Sequence, residues 1–106
     1  MRRGIVCSGV SCLDLFLYGT APLPTRESLS MVRETQYRAG GATTNTGRAL
    51  VKLGMPVEYI TVIGDDANGD MLMRMWADDG VDTRMVVRSP ERGTALSTIP
   101  VYDDGK

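Results

Sequence analysis

Short apolar stretches rich in β-branched residues recur along the chain, and each predicts a strand. The stretches at 4–10 and 57–63 are continuous, which is typical of strands buried in a parallel sheet. A shorter stretch at 85–87 predicts another strand. Residues 94–102 alternate between apolar and polar positions, as a half-buried strand does. Residues 29–38 alternate more weakly, which indicates an extended and partly exposed strand.

Two segments between these strands carry apolar or small residues at helical spacing, and both predict helices. The first covers 42–53, where the spaced positions are 42, 46, 49, 50 and 53. The second covers 70–78, where Leu72, Met75 and Trp76 share a face. A glycine follows each segment at the place where helices commonly end: Gly54 and Gly80. This β-α-β-α-β order predicts an α/β fold with a doubly wound parallel sheet.

The composition is that of one small soluble domain. Of 106 residues, 42% are hydrophobic and 24% are charged. A net charge of -1 argues against nucleic-acid binding, and no stretch is apolar enough for a membrane span. The chain has no histidine, and Cys7 and Cys12 fit no zinc or redox spacing. We therefore expect reduced core thiols in a cytoplasmic protein.

The last residues indicate that the chain is truncated. Asp103-Asp104-Gly105 is typical of a hairpin turn, and its return strand would lie after Lys106. A complete domain rarely ends on such an unpaired edge. We therefore expect 1–106 to be the N-terminal part of a larger domain.

The glycine pair Gly40-Gly41, followed by Asn45, is the first candidate site. Glycines leave room for a ligand beside backbone amides, and these amides would lie at a helix N-terminus, which favours electron-rich oxygens. The amide of Asn45 offers a donor and an acceptor to a hydroxyl group. A strand-to-helix turn with Asn45 as its cap explains the same residues without any ligand.

Acidic residues supply two further candidates. Asp14 would stand in a loop at 11–14, at the carboxyl end of the first strand, where open α/β sheets bind ligands. Its carboxylate suits a pair of neighbouring hydroxyls, although an exposed loop carboxylate remains the simpler interpretation. The loop at 64–69 carries three oxygen-bearing side chains but lacks the length of a calcium loop. A turn that caps the next helix is the simpler interpretation there.

Together these motifs resemble the ribokinase-like (PfkB) carbohydrate kinases, from residue 4 to about 106. The likeness includes Asp14 after the first strand, Gly40-Gly41 with Asn45, and the Gly-Asp-Asp-x-x-Gly run at 64–69. The resemblance implies that the sugar is bound by four residues: Asp14, Gly40, Gly41 and Asn45. It also implies a β-sheet lid over the sugar, which can form a homodimer contact, built from segments near 15–18, 29–38 and 94–102.

The resemblance implies ATP-dependent phosphorylation of a sugar hydroxyl by the parent enzyme, with ATP and Mg²⁺ bound mainly outside this chain. The family's Gly-Ala-Gly-Asp signature, which supplies the catalytic base, has no counterpart here. We therefore expect this chain alone to be inactive, with no catalytic, nucleotide-binding or metal-binding residue of its own. Thr43, Gly47 and Ala42 depart from the family pattern, so the resemblance does not identify which sugar is bound. A nucleoside kinase fragment and a non-catalytic binding or self-association module are the alternatives.

Overall fold

The computed structural model describes residues 4–20 and 29–102. Two helices and seven strands follow one another along this part of the chain. In chain order they are β1 (Ile5–Ser8), β2 (Cys12–Thr20), β3 (Glu34–Gly40), α1 (Gly41–Lys52), β4 (Val57–Ile60), β5 (Val62–Gly64), α2 (Ala67–Asp78), β6 (Val87–Ser89) and β7 (Leu96–Tyr102). Neither α1 nor α2 has the length and apolar character that a membrane span needs.

The parallel strands form the base of the fold. β1 pairs with β4, in the register Ile5 to Val57, and β5 pairs with β6. Only Thr61 separates β4 from β5, and its carbonyl accepts a hydrogen bond from the Val87 amide at 2.9 Å. Parallel pairing with helical crossovers is the α/β architecture that the sequence predicts, so the predicted fold class is confirmed.

A separate three-stranded sheet stands beside this base, in the order β3-β2-β7. β2 lies in the middle, antiparallel to β3 and parallel to β7. The Leu13 amide donates to the Ala95 carbonyl at 2.9 Å, which joins the start of β2 to the entry of β7. Leu13 and its partner Ala39 are buried, so this end of the sheet is part of the core.

The core lies between the parallel strands and the two helices. Trp76 of α2 and Tyr59 of β4 are fully buried and meet edge to face, with ring centroids 5.2 Å apart. The Trp76 Nε1–H donates to the Thr44 hydroxyl at 2.9 Å, which satisfies the buried indole. The predicted core position of Trp76 is therefore confirmed.

Several predicted boundaries and faces were wrong. Residues 11–14 do not form a loop, because β2 begins at Cys12 and Asp14 lies within it. The strand predicted at 29–38 begins only at Glu34, and the one at 94–102 begins at Leu96. Helix α1 buries Thr43, Thr44 and Gly47 rather than the positions predicted from apolar spacing. The predicted turn at 103–105 lies outside the described residues.

Candidate functional site

Asp14 and Gly40 are brought into direct contact by the pairing of β2 with β3. Asp14 lies opposite Arg38 in register, and Gly40 is the last residue of β3. A Cβ added at Gly40 would overlap the Asp14 carboxylate, at 2.8 Å from its Cγ. Any residue other than glycine at position 40 would therefore displace this carboxylate. Gly40 is also the N-cap residue of α1, so the carboxylate lies beside a helix N-terminus.

Gly41 begins α1 in a conformation that side chains rarely adopt. Its φ is +87°, and an added Cβ would lie 3.0 Å from the Ser11 Cα. The helix is held there by the Thr43 amide, which donates to the Val10 carbonyl at 3.3 Å. Since the first amides of a helix have no partner inside it, those of Gly41 and Ala42 remain available to an acceptor beside Gly40.

Asn45 stands apart from this contact. It is exposed in α1, four residues after Gly41 and therefore on the same side of the helix. The buried side of α1 carries Thr43, Thr44 and Gly47, so Asn45 faces away from the core. The structure thus brings Asp14, Gly40 and Gly41 together, and places Asn45 one turn further along the same helix.

Cys12 is a neighbour of Asp14 that the sequence reasoning did not single out. Its thiol donates to Asp14 Oδ1, with 3.3 Å between the two atoms. Burial and the Asp14 carboxylate raise the pKa of this thiol, so it stays protonated at neutral pH. Both cysteines are free, but only Cys7 is a buried core thiol. In a strand, residues 12 and 14 lie on the same face. Cys12 could have been predicted as a neighbour of Asp14 if residues 11–14 had been assigned to a strand and not to a loop.

The loop predicted at 64–69 is shorter in the structure, because β5 ends at Gly64 and α2 begins at Ala67, and its Asp66 caps that helix. Asp66 Oδ1 accepts from the Gly69 amide at 2.8 Å, and the carboxylate also accepts from the Thr94 amide and hydroxyl at 2.9 and 2.7 Å. The hydrogen bonds from Thr94, and then that from Gly69, lower the pKa of Asp66. Among residues 4–20 and 29–102, no group of acidic or cysteine side chains is arranged to hold a metal ion.

In the described part of the chain, open cavities border the parallel strands at both ends. One, of about 420 Å³, lies at the carboxyl ends of β1 and β4, between 8–11 and 60–62. The hydroxyls of Ser11 and Thr61 are 3.0 Å apart there, and Thr61 Oγ1 donates to the Gly9 carbonyl at 3.1 Å. The other, of about 350 Å³, lies at the amino ends, between 4–6 and 56–58. The first adjoins the turn against which Gly41 packs, and the second is remote from Asp14.

Comparison with curated proteins finds relatives that carry two kinds of name. The bifunctional protein HldE of Paramagnetospirillum magneticum is 32% identical over 101 residues, which are 89% of this chain and 20% of that protein. The fructokinase of Rhizobium leguminosarum bv. trifolii is 30% identical over 109 residues, which are 95% of this chain and 31% of that protein. The chain thus spans about a fifth to a third of these relatives' length.

Solved structures share the fold. Fructokinase with bound ATP from Xylella fastidiosa is 29% identical and superposes with a TM-score of 0.73, covering 95% of this chain and 30% of that one. Arabidopsis thaliana ribokinase, complexed with ribose and ATP, reaches 0.87 at 23% identity, covering 100% and 34%. The sequence model of the pfkB family of carbohydrate kinases matches residues 3–106. The chain therefore belongs to the pfkB family of carbohydrate kinases.

Proposed function

We propose that the protein to which this chain belongs transfers a phosphoryl group from ATP to a sugar hydroxyl, and that this chain binds the sugar. The observation that carries the proposal is the Asp14 carboxylate lying against Gly40 at the N-terminus of α1. An acceptor and a set of donors thus stand side by side. A sugar, whose hydroxyls both donate and accept, matches such a pair.

Each proposed site residue has one role. Asp14 accepts hydrogen bonds from neighbouring hydroxyls, each worth about 1.5–3 kcal/mol because the acceptor is charged. The first amides of α1, beside Gly40 and Gly41, donate to a sugar oxygen. Asn45 donates or accepts at a further hydroxyl from the same side of the helix. None of these residues acts as the base or contacts the transferred phosphoryl group.

The catalytic parts lie outside this chain in our proposal. A base from the remainder of the protein removes the proton of the reacting hydroxyl, and ATP and Mg²⁺ are bound mainly there. Phosphoryl transfer depends on positioning and charge neutralisation, so 1–106 alone should show no turnover. We place the reaction in the cytoplasm, where Cys7 and Cys12 stay reduced.

The three-stranded sheet is proposed as the lid over the sugar. It carries Asp14 near its base, and β2 and β7 extend from there to Thr20 and Tyr102. Such a cover excludes water, which would otherwise compete for the phosphoryl group. Its outer strands, β3 and β7, leave free edges in the described part of the chain. A homodimer through these edges is the second candidate role, in line with a binding or self-association module.

Kinetics of the Asp14→Ala variant of the complete protein test the proposal. ATP consumption over a panel of sugars and nucleosides first identifies the acceptor. The variant should then raise the KM for that acceptor and lower kcat/KM by about 100-fold or more, because hydrogen bonds made in the transition state are lost. Asp78→Ala, at an exposed position of α2, is the matched control and should behave as wild type.

Unchanged kinetics of Asp14→Ala would exclude the assigned sugar site. If only nucleosides were phosphorylated, the acceptor would be a nucleoside and not a sugar.

A further inference from the structure

We propose that the guanidinium of Arg38 binds an anionic group of the acceptor, a carboxylate or a phosphate, so that the substrate is a sugar acid or a sugar phosphate. This inference rests on the proposed function, because it assigns the substrate class of the same site.

Arg38 shares a sheet face with Asp14. The two residues are direct cross-strand partners of β2 and β3, and paired residues project from the same face of a sheet. The period of two along β2 adds Cys12 and Phe16 to this face. The opposite face carries Leu13 and Ala39, which are buried in the core. The Asp14 face is therefore the one turned toward the proposed sugar site.

The guanidinium of Arg38 is held away from Asp14. Its Cζ lies 4.9 Å from the centroid of the Phe16 ring, and its Nη2 donates to Gln36 Oε1 at 3.0 Å. Phe16 follows Asp14 by two residues, which is about 6–7 Å along a strand. Across the described ranges 4–20 and 29–102, no carboxylate lies within ion-pair distance of this guanidinium.

This geometry leaves an oriented cation beside an open site. The aromatic face of Phe16 favours the cation and fixes its plane. Gln36 occupies one of five N–H donors, so a fork remains for a carboxylate or a phosphate. Asp14 and Arg38 then recognise different ends of one ligand, hydroxyls at the first and an anion at the second. The rise of about 6–7 Å along β2 from Asp14 to Phe16, over whose ring the guanidinium lies, suits a ligand of sugar size.

A nucleotide phosphate is the other source of the same anionic chemistry. The position of the guanidinium argues against it, because the group turns toward Phe16 and away from Gly40 at the helix N-terminus. An anion at the N-terminus would instead meet the first amides of α1. The acceptor sugar is therefore the ligand that fits the position of Arg38.

Binding titrations of the complete protein without nucleotide test this inference. Three matched pairs serve as probes: gluconate and glucose, ribose 5-phosphate and ribose, and fructose 6-phosphate and fructose. In at least one pair, wild type should bind the anionic member about 10-fold or more tightly than the neutral one, since one charge-assisted hydrogen bond suffices for that ratio. Arg38→Met keeps the length of the side chain and should abolish the preference, while Arg38→Lys should keep part of it.

Controls separate this inference from the proposed function. Arg74→Met, at an exposed position of α2, makes the same change of charge and should leave the preference intact. Asp14→Ala should weaken the binding of both members of a pair. Equal binding of both members by wild type, with loss of both in Asp14→Ala, overturns the role of Arg38 and leaves the sugar site standing. A loss of ATP affinity in Arg38→Met with no change in sugar preference also overturns it. No binding by any probe overturns both.

Discussion

Gly47 lies directly against the ring of Tyr59, which explains a departure from the family pattern. A Cβ at this position would overlap the ring, at 2.6 Å from Cζ. The ring has little freedom to move, since Tyr59 is fully buried and packs edge to face on Trp76. A large aromatic on β4 thus requires the smallest residue on α1.

Gly47→Ala should therefore destabilise the protein, although alanine favours a helix over glycine by about 1 kcal/mol. Overpacking of a closed core typically costs about 1–3 kcal/mol, and we expect a net loss in this range. Denaturant unfolding of the complete protein measures it, with Thr46→Ala on the exposed side of α1 as control. Tyr59→Leu should lower the free energy of unfolding less in the Gly47→Ala variant than in wild type, because it removes the ring that the added methyl group overlaps. A more stable Gly47→Ala protein would contradict this packing.

At the scale of elements, Asp66 joins the start of α2 to the entry of β7. Its carboxylate accepts from the Gly69 amide and from both donors of Thr94. The Thr94 hydroxyl in turn accepts from the Gly64 amide at 2.9 Å. Since the Ala95 carbonyl binds the Leu13 amide, this network also positions the strand that carries Asp14.

Asp66→Asn should lower the melting temperature at neutral pH, because an amide nitrogen cannot accept from the Thr94 amide. The pKa of Asp66 is lowered in the folded protein. As the pH falls, the Asp66 carboxylate is therefore protonated in the unfolded chain before it is protonated in the folded protein. Its stabilising effect is full above the ordinary pKa of 3.8 and is lost as the pH falls below that value. The difference between wild type and variant should therefore narrow on acidification.

Thermal unfolding from pH 7 to pH 3 checks the prediction for Asp66. Asp78→Asn, at an exposed position of the same helix, serves as control and should follow wild type at each pH. A difference in melting temperature that stays constant over this range would show that the charge of Asp66 does not stabilise the network.

For the whole molecule, the bare face of the parallel strands matters most. Both helices pack on the other face, and this one exposes four aliphatic side chains, between 40% and 61% accessible: Val6, Ile60, Val62 and Val87. Parallel sheets are normally covered on both faces. Relatives of about three to five times this length have further chain that could cover it.

The isolated 106-residue chain should therefore self-associate. Light scattering coupled to size exclusion should give a mass well above 11.5 kDa. Val62→Lys with Val87→Lys should shift the mass toward that of the monomer, since these paired residues lie on the bare face. Tyr37→Lys on β3 is the matched control in the three-stranded sheet. A reduction by Tyr37→Lys alone would instead favour the lid homodimer, and a monomeric wild type would contradict both.

The sequence by itself determined the local features of this protein. Apolar runs predicted the parallel strands, and Gly54 ended α1 as expected, with a φ of +82° and its amide bonded to the Val51 carbonyl. These features depend on neighbours a few residues away, so they can be recognised in one chain. The motif order likewise indicated the family to which the chain belongs.

Only the tertiary structure decided which residues meet across the chain. Asp14 lies in a strand because β3 and β7, distant in sequence, supply its partners. The buried side of α1 was set by Tyr59 and Trp76, which accept glycine and threonine rather than the apolar positions. Arg38 joined the face of Asp14 through strand register alone. Such pairings depend on packing between residues that are distant in sequence, so a local pattern of hydrophobic and polar residues does not predict them.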